Sequence, residues 1–298
     1  MINKKYCISI LIEILILLMV TVPVLAETGL RNMLNLTGAR QSAMGEMAML
    51  AGTDPFNLEY NSSSITGMSR GQLGVSYNSF IQNRNTSTLA MIFPAVGADF
   101  GMHLRLSSID DIEARDETPS ADPLYTFTAH DFAIKAYGAY DITDQFSAGL
   151  SLGYLLEKID IDRVSTIVMG LSSRYKFNHG ITAHASVENL GGKFKYISKE
   201  MDAPTIIRIG SQFNKNVFGF AVDYVSIKSG ESHIHLGAEY LYNEILYLRA
   251  GYQTGYDNKN ISAGSGFVYR NLRIDYAFIP FKSDLGNSHR FSLILDIK

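Results

Sequence analysis

Three groups of residues in this chain could do chemistry. His233 and His235 stand two apart, with Glu239 further along the same run. In an extended segment all three share a face, and two imidazoles with a carboxylate are zinc-type ligands. No further ligand lies close in sequence, so hydrogen bonding inside a fold is the reading adopted. Gly149-Leu150-Ser151-Leu152-Gly153 matches the G-x-S-x-G pattern of hydrolases. That chemistry needs a sharp strand-to-helix turn that lifts the serine out of its sheet. Here the pattern sits inside an alternating run, with Phe146, Ala148, Leu150, Leu152 and Tyr154 on one face, so it reads as strand. Asp110, Asp111, Glu113, Asp116, Glu117 and Asp122 form an acidic segment that could take a divalent cation. Their spacing is not that of an EF-hand, and a solvated loop is the default. No catalytic residue, metal or cofactor is assigned, and no enzyme is expected.

The remaining charges are more informative because they alternate with apolar residues. His103, Arg105, Asp131, Lys135, Arg174, His184, Glu188, Arg208, Asp223, His233, His235, Glu239, Arg249, Arg273 and Asp275 all fall on the polar side of period-2 runs. Their signs are mixed. They could line a channel or hold an inner segment; the simpler reading is a salt-bridged interior that keeps strands in register.

Strands must position them. From Gly71 onward apolar residues recur at every second position, as in Phe291, Leu293, Leu295 and Ile297 or Leu272, Ile274, Tyr276 and Phe278. Such alternation marks half-buried strands. About fourteen runs can be placed, from 71–79 to 289–297. Their connections alternate. Short ones such as Val96-Gly97-Ala98, Asn214-Lys215-Asn216 and Arg270-Asn271 are interleaved with longer ones at 80–86, 108–125, 157–163, 190–203, 227–231, 255–259 and 281–288. Outer-membrane barrels have short turns on the periplasmic side and longer loops outside. A spanning sheet must also close on itself, since hydrocarbon offers no partner to a free edge. The expected fold is therefore all-β, a transmembrane antiparallel barrel of about fourteen strands. A soluble periplasmic sandwich or propeller is the alternative. Tyr and Phe near strand ends, Phe281 among them, are expected to form aromatic belts.

Composition agrees. The 298 residues carry Lys+Arg 26 against Asp+Glu 29, a net charge of -3 that gives no footprint for nucleic acid. Charged residues are only 18%, too few for a typical soluble surface. The single cysteine, Cys7, excludes a disulfide within the chain. Lys4 and Lys5 precede an apolar run from Cys7 to Leu25, and Val24-Leu25-Ala26 ends it with the small residues of a cleavage site. Residues 1–26 thus read as a secretory signal peptide, 27–70 as a short helical or irregular plug, and 71–298 as the barrel. The expected location is a bacterial outer membrane, with its lipid as the first partner.

Both ends of the mature chain carry a resemblance. Gly38-Ala39-Arg40, Ala43-Met44-Gly45 and Tyr60-Asn61 at one end are similar to the opening of the PorV/PorQ family. Asp284-Leu285-Gly286-Asn287-Ser288-His289-Arg290 at the other resembles that family's last hairpin. Asn61-Ser62-Ser63-Ser64 departs from the family's Asn-Pro-Ala-Gly, and the chain ends Ile297-Lys298 rather than on an aromatic residue. The resemblance implies a FadL-like barrel of fourteen strands with residues 27–70 folded into its lumen. It implies a role in protein secretion of type IX kind, with secreted proteins or secretion components as partners. A FadL-like conduit for small hydrophobic molecules is the second function, and a structural or adhesin barrel the third.

The face assignment has a measurable consequence. Leu293→Arg on the lipid face should cost about 2–4 kcal/mol near the midplane, and Ser292→Arg on the lumen face less, by unfolding in a bilayer.

Overall fold

A computed structural model describes residues 30–48, 52–80, 84–116, 121–196, 199–283 and 285–297. The proposed signal peptide, Glu117 and Asp284 lie outside the described residues.

The strands are β1 (Gly71–Ser79), β2 (Arg84–Ala95), β3 (Ala98–Ala114), β4 (Tyr125–Asp141), β5 (Phe146–Ile159), β6 (Asp162–Lys176), β7 (Ile181–Leu190), β8 (Lys193–Tyr196), β9 (Lys199–Asp202), β10 (Ile206–Lys215), β11 (Phe218–Ile227), β12 (Ser232–Tyr242), β13 (Leu246–Gln253), β14 (Ile261–Tyr269), β15 (Leu272–Pro280) and β16 (Asn287–Ile297). All but β8 and β9 form one closed antiparallel barrel. The first and last strands seal it, with Gly71 opposite Ile297 and Ser79 opposite His289. The expected fourteen-stranded barrel is therefore the fold observed.

Alternation separates the two faces. On β6, Val164, Thr166, Val168, Gly170, Ser172 and Arg174 point inward, while Ile167, Met169 and Leu171 are exposed on the outside. On β16, Ser288, Arg290 and Ser292 are buried and Phe291, Leu293 and Leu295 exposed. An outward face this apolar is stable when hydrocarbon, not water, covers it.

The hairpin ends differ. Val96-Gly97, Asn216-Val217 and Arg270-Asn271 make two-residue turns at one end, with positive φ at Val96, Gly97, Asn216 and Arg270 as such tight turns require. The other end carries the 115–124, 191–205, 254–260 and 281–286 connections. One expectation fails there: 157–163 is no long loop. β5 and β6 run on to Ile159 and Asp162, and Asp160-Ile161 joins them, with Asp160 at φ 53. The 190–203 connection holds the small β8–β9 hairpin, whose four-residue strands leave no readable alternation.

Most of the described residues between Leu30 and Met68 are buried inside the barrel. They contain a 3-10 turn at Arg31–Leu34, the helix α1 at Ala39–Ala43, and 3-10 turns at Pro55–Glu59 and Ser62–Ile65. Asp54 caps the second, its Oδ1 accepting the Phe56 N–H at 3.0 Å. Small residues allow α1 to press on the wall: Ala39 and Ala43 cluster with Ala277. Glycine does the same from the other side. A Cβ on Gly237 would meet the Met44 carbonyl oxygen at 2.6 Å, and one on Gly251 would fall on the backbone nitrogen of Gly45.

This packing corrects the expectation for Ser292. Its Oγ accepts the Ala39 N–H at 2.9 Å and bonds Ser76 Oγ at 3.0 Å. An arginine there has no lumen to enter, so Ser292→Arg is expected to cost at least as much as Leu293→Arg. Gly251→Ala should displace the segment after α1 at a cost of about 1–3 kcal/mol. The readout is faster protease cleavage within residues 30–70 of the folded, membrane-inserted barrel.

Candidate functional site: the lumen and its mouth

The inner segment is sparing with charge, yet each of its carboxylates meets cations from the wall. Glu46 accepts from Arg290 at 3.0 Å and from Lys259 at 2.9 Å. Its backbone carbonyl accepts from Arg208 at 3.0 Å and from His235 Nδ1 at 3.2 Å. Glu46 holds φ 59, a left-handed conformation that directs both its carbonyl and its side chain to the wall. Burial pushes the Glu46 carboxyl up, but Lys259 and Arg290 outweigh it and hold the group well below the usual carboxylate range. Glu59 accepts from Arg105 at 3.0 Å, lies 3.6 Å from His103 Nε2, and takes the Thr37 N–H at 2.8 Å. Against the effect of burial, His103, Arg105 and Thr37 bring it down to about 2. Asp54 pairs with Arg273.

The sequence-selected wall residues fall into these same groups. Arg273 also pairs with Asp275 at 2.8 Å, and Asp275 with Arg249 at 2.7 Å. Arg249 donates to Glu239 at 2.6 Å, and Arg40 of α1 reaches Glu239 at 2.9 Å. Asp223 receives His184 at 2.9 Å and Arg208 at 3.0 Å. Lys135 donates to Asn189 at 2.7 Å and lies 3.5 Å from Glu188. Asp131 accepts from Asn32 at 2.5 Å, and Arg174 donates to the Ser64 carbonyl at 3.1 Å. His233 stacks on Tyr256 at 3.7 Å, while His235 Nε2 takes the Tyr256 hydroxyl at 3.1 Å. Glu239 is thus committed to arginines, away from the two histidines. Among the described residues no group of three His, Cys, Asp or Glu is arranged for a metal. Ser151 of the G-x-S-x-G pattern lies mid-strand and donates to Glu188 at 2.9 Å.

The two terminal stretches that carry the resemblance are brought close, Arg290 reaching Ser42 and Glu46 within the first. Gly38, at φ 97, starts α1. Tyr60 donates to the Thr37 carbonyl at 3.2 Å and lies under the Arg208 guanidinium. Asn61 Nδ2 donates to the Ser173 carbonyl, and Ser172 Oγ accepts the Ser63 N–H at 2.9 Å. From the other terminus, fully buried Arg290 donates to the Leu36 carbonyl and to Ser42. His289 points outward and bonds Tyr276. Leu285 and Asn287 are exposed, and Gly286, at φ 91, turns the last loop.

A cavity of about 330 Å³ opens at the long-loop end. The inner segment supplies Leu34, Leu36 and Glu46; the wall and loops supply Ile206, Arg208, Val225, Ile227, Tyr256, Lys259 and Phe281. Phe281 therefore lines the mouth and not an aromatic belt. Sequence reasoning missed Glu46, Asp54, Glu59, Lys259 and Tyr256. The one available signal was carboxylates isolated in a stretch of small residues.

These features define a class: a closed fourteen-stranded membrane barrel with its N-terminal segment pinned inside. No protein-family model matches the chain, and no curated protein matches it. Solved structures do. The CymD monoaromatic hydrocarbon channel is 13% identical with a TM-score of 0.65, covering 88% of this chain and 98% of that one. The Pseudomonas putida toluene transporter TodX is 13% identical with a TM-score of 0.61, covering 92% and 98%. A Pseudomonas aeruginosa FadL homologue is 12% identical with a TM-score of 0.55, covering 87% and 97%. The fold is thus FadL-like.

Removing one partner of a buried ion pair strands the other, at about 3–5 kcal/mol. Glu46→Gln leaves Arg290 and Lys259 so placed. The variant should lose its heat-modifiable gel mobility at a markedly lower temperature than the unaltered protein.

Proposed function

We propose that this protein admits small hydrophobic molecules through an outer membrane without catalysis. The observation that carries the reading is the mouth cavity, where Leu34, Leu36, Ile206, Val225, Ile227 and Phe281 form an apolar side opposite charged groups that include Arg31, Arg84, Arg208, Glu46, Glu231 and Lys259. A hydrated porin would need an open polar lumen, and this one is filled by the chain itself. The similar folds of a monoaromatic hydrocarbon channel and a toluene transporter support the same cargo class. In this reading the short-turn end faces the periplasm and the long loops face out, and residues 1–26 direct export. The charged network is structural: it fastens the inner segment to the wall.

Protein secretion is the second reading. It rests on the similarity of the chain ends to the PorV/PorQ family, in which the barrel would serve secreted proteins or secretion components.

Uptake separates the two. Radiolabelled naphthalene is offered to cells with an intact lipopolysaccharide leaflet that produce the barrel. Uptake several-fold above cells lacking it is expected. Unchanged uptake, with the barrel folded by heat-modifiable mobility, would reject the conduit and leave secretion.

A further inference from the structure

On the outer face of the wall, near the long-loop end, three nitrogen-bearing side chains stand in one row. His130 of β4, Lys158 of β5 and Arg163 of β6 are all exposed. Alternation sets them out of phase with Asp131, Leu155 and Val164, which point into the lumen. Register places them side by side: His130 is opposite Lys158, and Lys158 is opposite Arg163. Like charges directly opposite on neighbouring strands repel. The Lys158–Arg163 pair therefore costs stability unless an anion sits beside it.

The chain does not supply that anion. Asp131 and Glu157 are opposite one another, but in the lumen phase. Asp160, in the turn above, accepts the Tyr125 hydroxyl at 2.9 Å. Among the described residues no ion pair engages Lys158 or Arg163. Elsewhere at this end the outer face satisfies itself with neutral pairs: Tyr77 donates to Asn85, Tyr224 to Ser232, and Tyr276 bonds His289. Of the Lys and Arg on the described barrel strands, only Lys158 and Arg163 fall on the outer face at this end.

The row also stands at a particular height. From Tyr140 to His130, β4 climbs ten residues. That is about 26 Å along the barrel axis at about 3.4 Å per residue and a tilt of about 40°. The apolar band of such barrels is about 25 Å tall, so the row lies at its upper edge. Directly below are Phe132 and Leu156, partly exposed, and then the exposed Ile167. Tyr154, below Lys158 on β5, brings its hydroxyl near Arg163 and Ser165. A tyrosine with an apolar body and a wet tip marks a membrane boundary.

We infer that His130, Lys158 and Arg163 form a binding site for the phosphate of an outer-leaflet lipid, whose acyl chains lie down the wall over Phe132, Leu156 and Ile167. Arg163 offers a fork of donors that suits phosphate, Lys158 a point charge, and His130 an N–H. Phosphate between the two cations turns their repulsion into attraction. The site takes only its orientation, long loops outward, from the proposed function and is independent of cargo.

The test is native mass spectrometry of the full barrel in detergent, titrated with diphosphoryl lipid A. Lys158→Gln with Arg163→Gln should weaken binding at least about tenfold, since each cation contributes at a lipid headgroup. Lys176→Gln with Lys215→Gln removes the same charge from exposed positions at the short-turn end and should leave affinity unchanged. Lipid A stripped of both phosphates should bind the unaltered barrel as weakly as diphosphoryl lipid A binds the β5–β6 variant, a comparison that needs no substitution. Each variant is checked by heat-modifiable mobility. Equal affinity of the two double variants, or of the two lipids, would overturn the site. Displacement by excess inorganic phosphate would overturn the lipid as its occupant, and tighter binding of phosphatidylglycerol would overturn it together with the orientation.

Discussion

Hydrogen-bond closure of the sheet is the constraint on which the rest depends. Every backbone N–H and C=O in hydrocarbon must find a partner within the protein. β1 and β16 meet that demand by pairing from Gly71–Ile297 to Ser79–His289. Closure fixes which side chains face in, because a shift of one residue would exchange the two faces of a strand. It also explains a sequence with few charges overall that places those it has at alternating positions.

A closed barrel of this size creates an interior that must be filled or hydrated, and this chain fills it with itself. The filling is possible because the wall is locally bare: Gly237 and Gly251 admit the backbone near Met44 and Gly45. It is held because charges are complementary across the gap. Cations dominate the wall where the segment supplies Glu46, Asp54 and Glu59. Such pairs are costly to desolvate and costlier to break singly, so they specify position more than they add stability. Arg290, from the last strand, joins Glu46, Ser42 and the Leu36 carbonyl. The segment can therefore seat fully only once the C-terminal hairpin is present.

The barrel was legible because period 2 is imposed by a physical boundary on each side, hydrocarbon without and a polar packed lumen within. Strand β16 shows this most clearly: Phe291, Leu293 and Leu295 against Arg290 and Ser292. Turn lengths were less legible. The two-residue turn at Asp160-Ile161 follows from β5 and β6 staying paired to Ile159 and Asp162, well past the end of β7, and polar residues at a strand tip read as loop. Pairings inside the lumen were illegible, since Glu46 and Lys259 are brought together by folding and no local spacing links them. Arg40, Tyr60 and Arg290, three of the residues that carry the terminal resemblance, are buried and make contacts across the lumen. Arg40 and Tyr60 reach from the inner segment to Glu239 and Arg208 of the wall, and Arg290 reaches from the wall to Glu46.

The division of fastenings along the inner segment bears on mechanism. A plug held uniformly by buried ion pairs would either stay or leave as a whole, and leaving would strand several charges at once. Here the buried ion pairs are gathered on residues 40–59, while residues 32–35 meet the wall through the Asn32–Asp131 hydrogen bond and the contacts of Arg105 with Met33 and the Asn35 carbonyl. The fastening reaches the mouth as well, since Glu46, held by Lys259 and Arg290, lines the cavity there. Displacing the segment at the mouth would strand Lys259 and Arg290 together, so movement there is opposed by the same buried charges that hold the deeper turns. Where Glu46, Asp54 and Glu59 stand in the sequence thus decides where the inner segment is fastened, because each is met by cations of the wall.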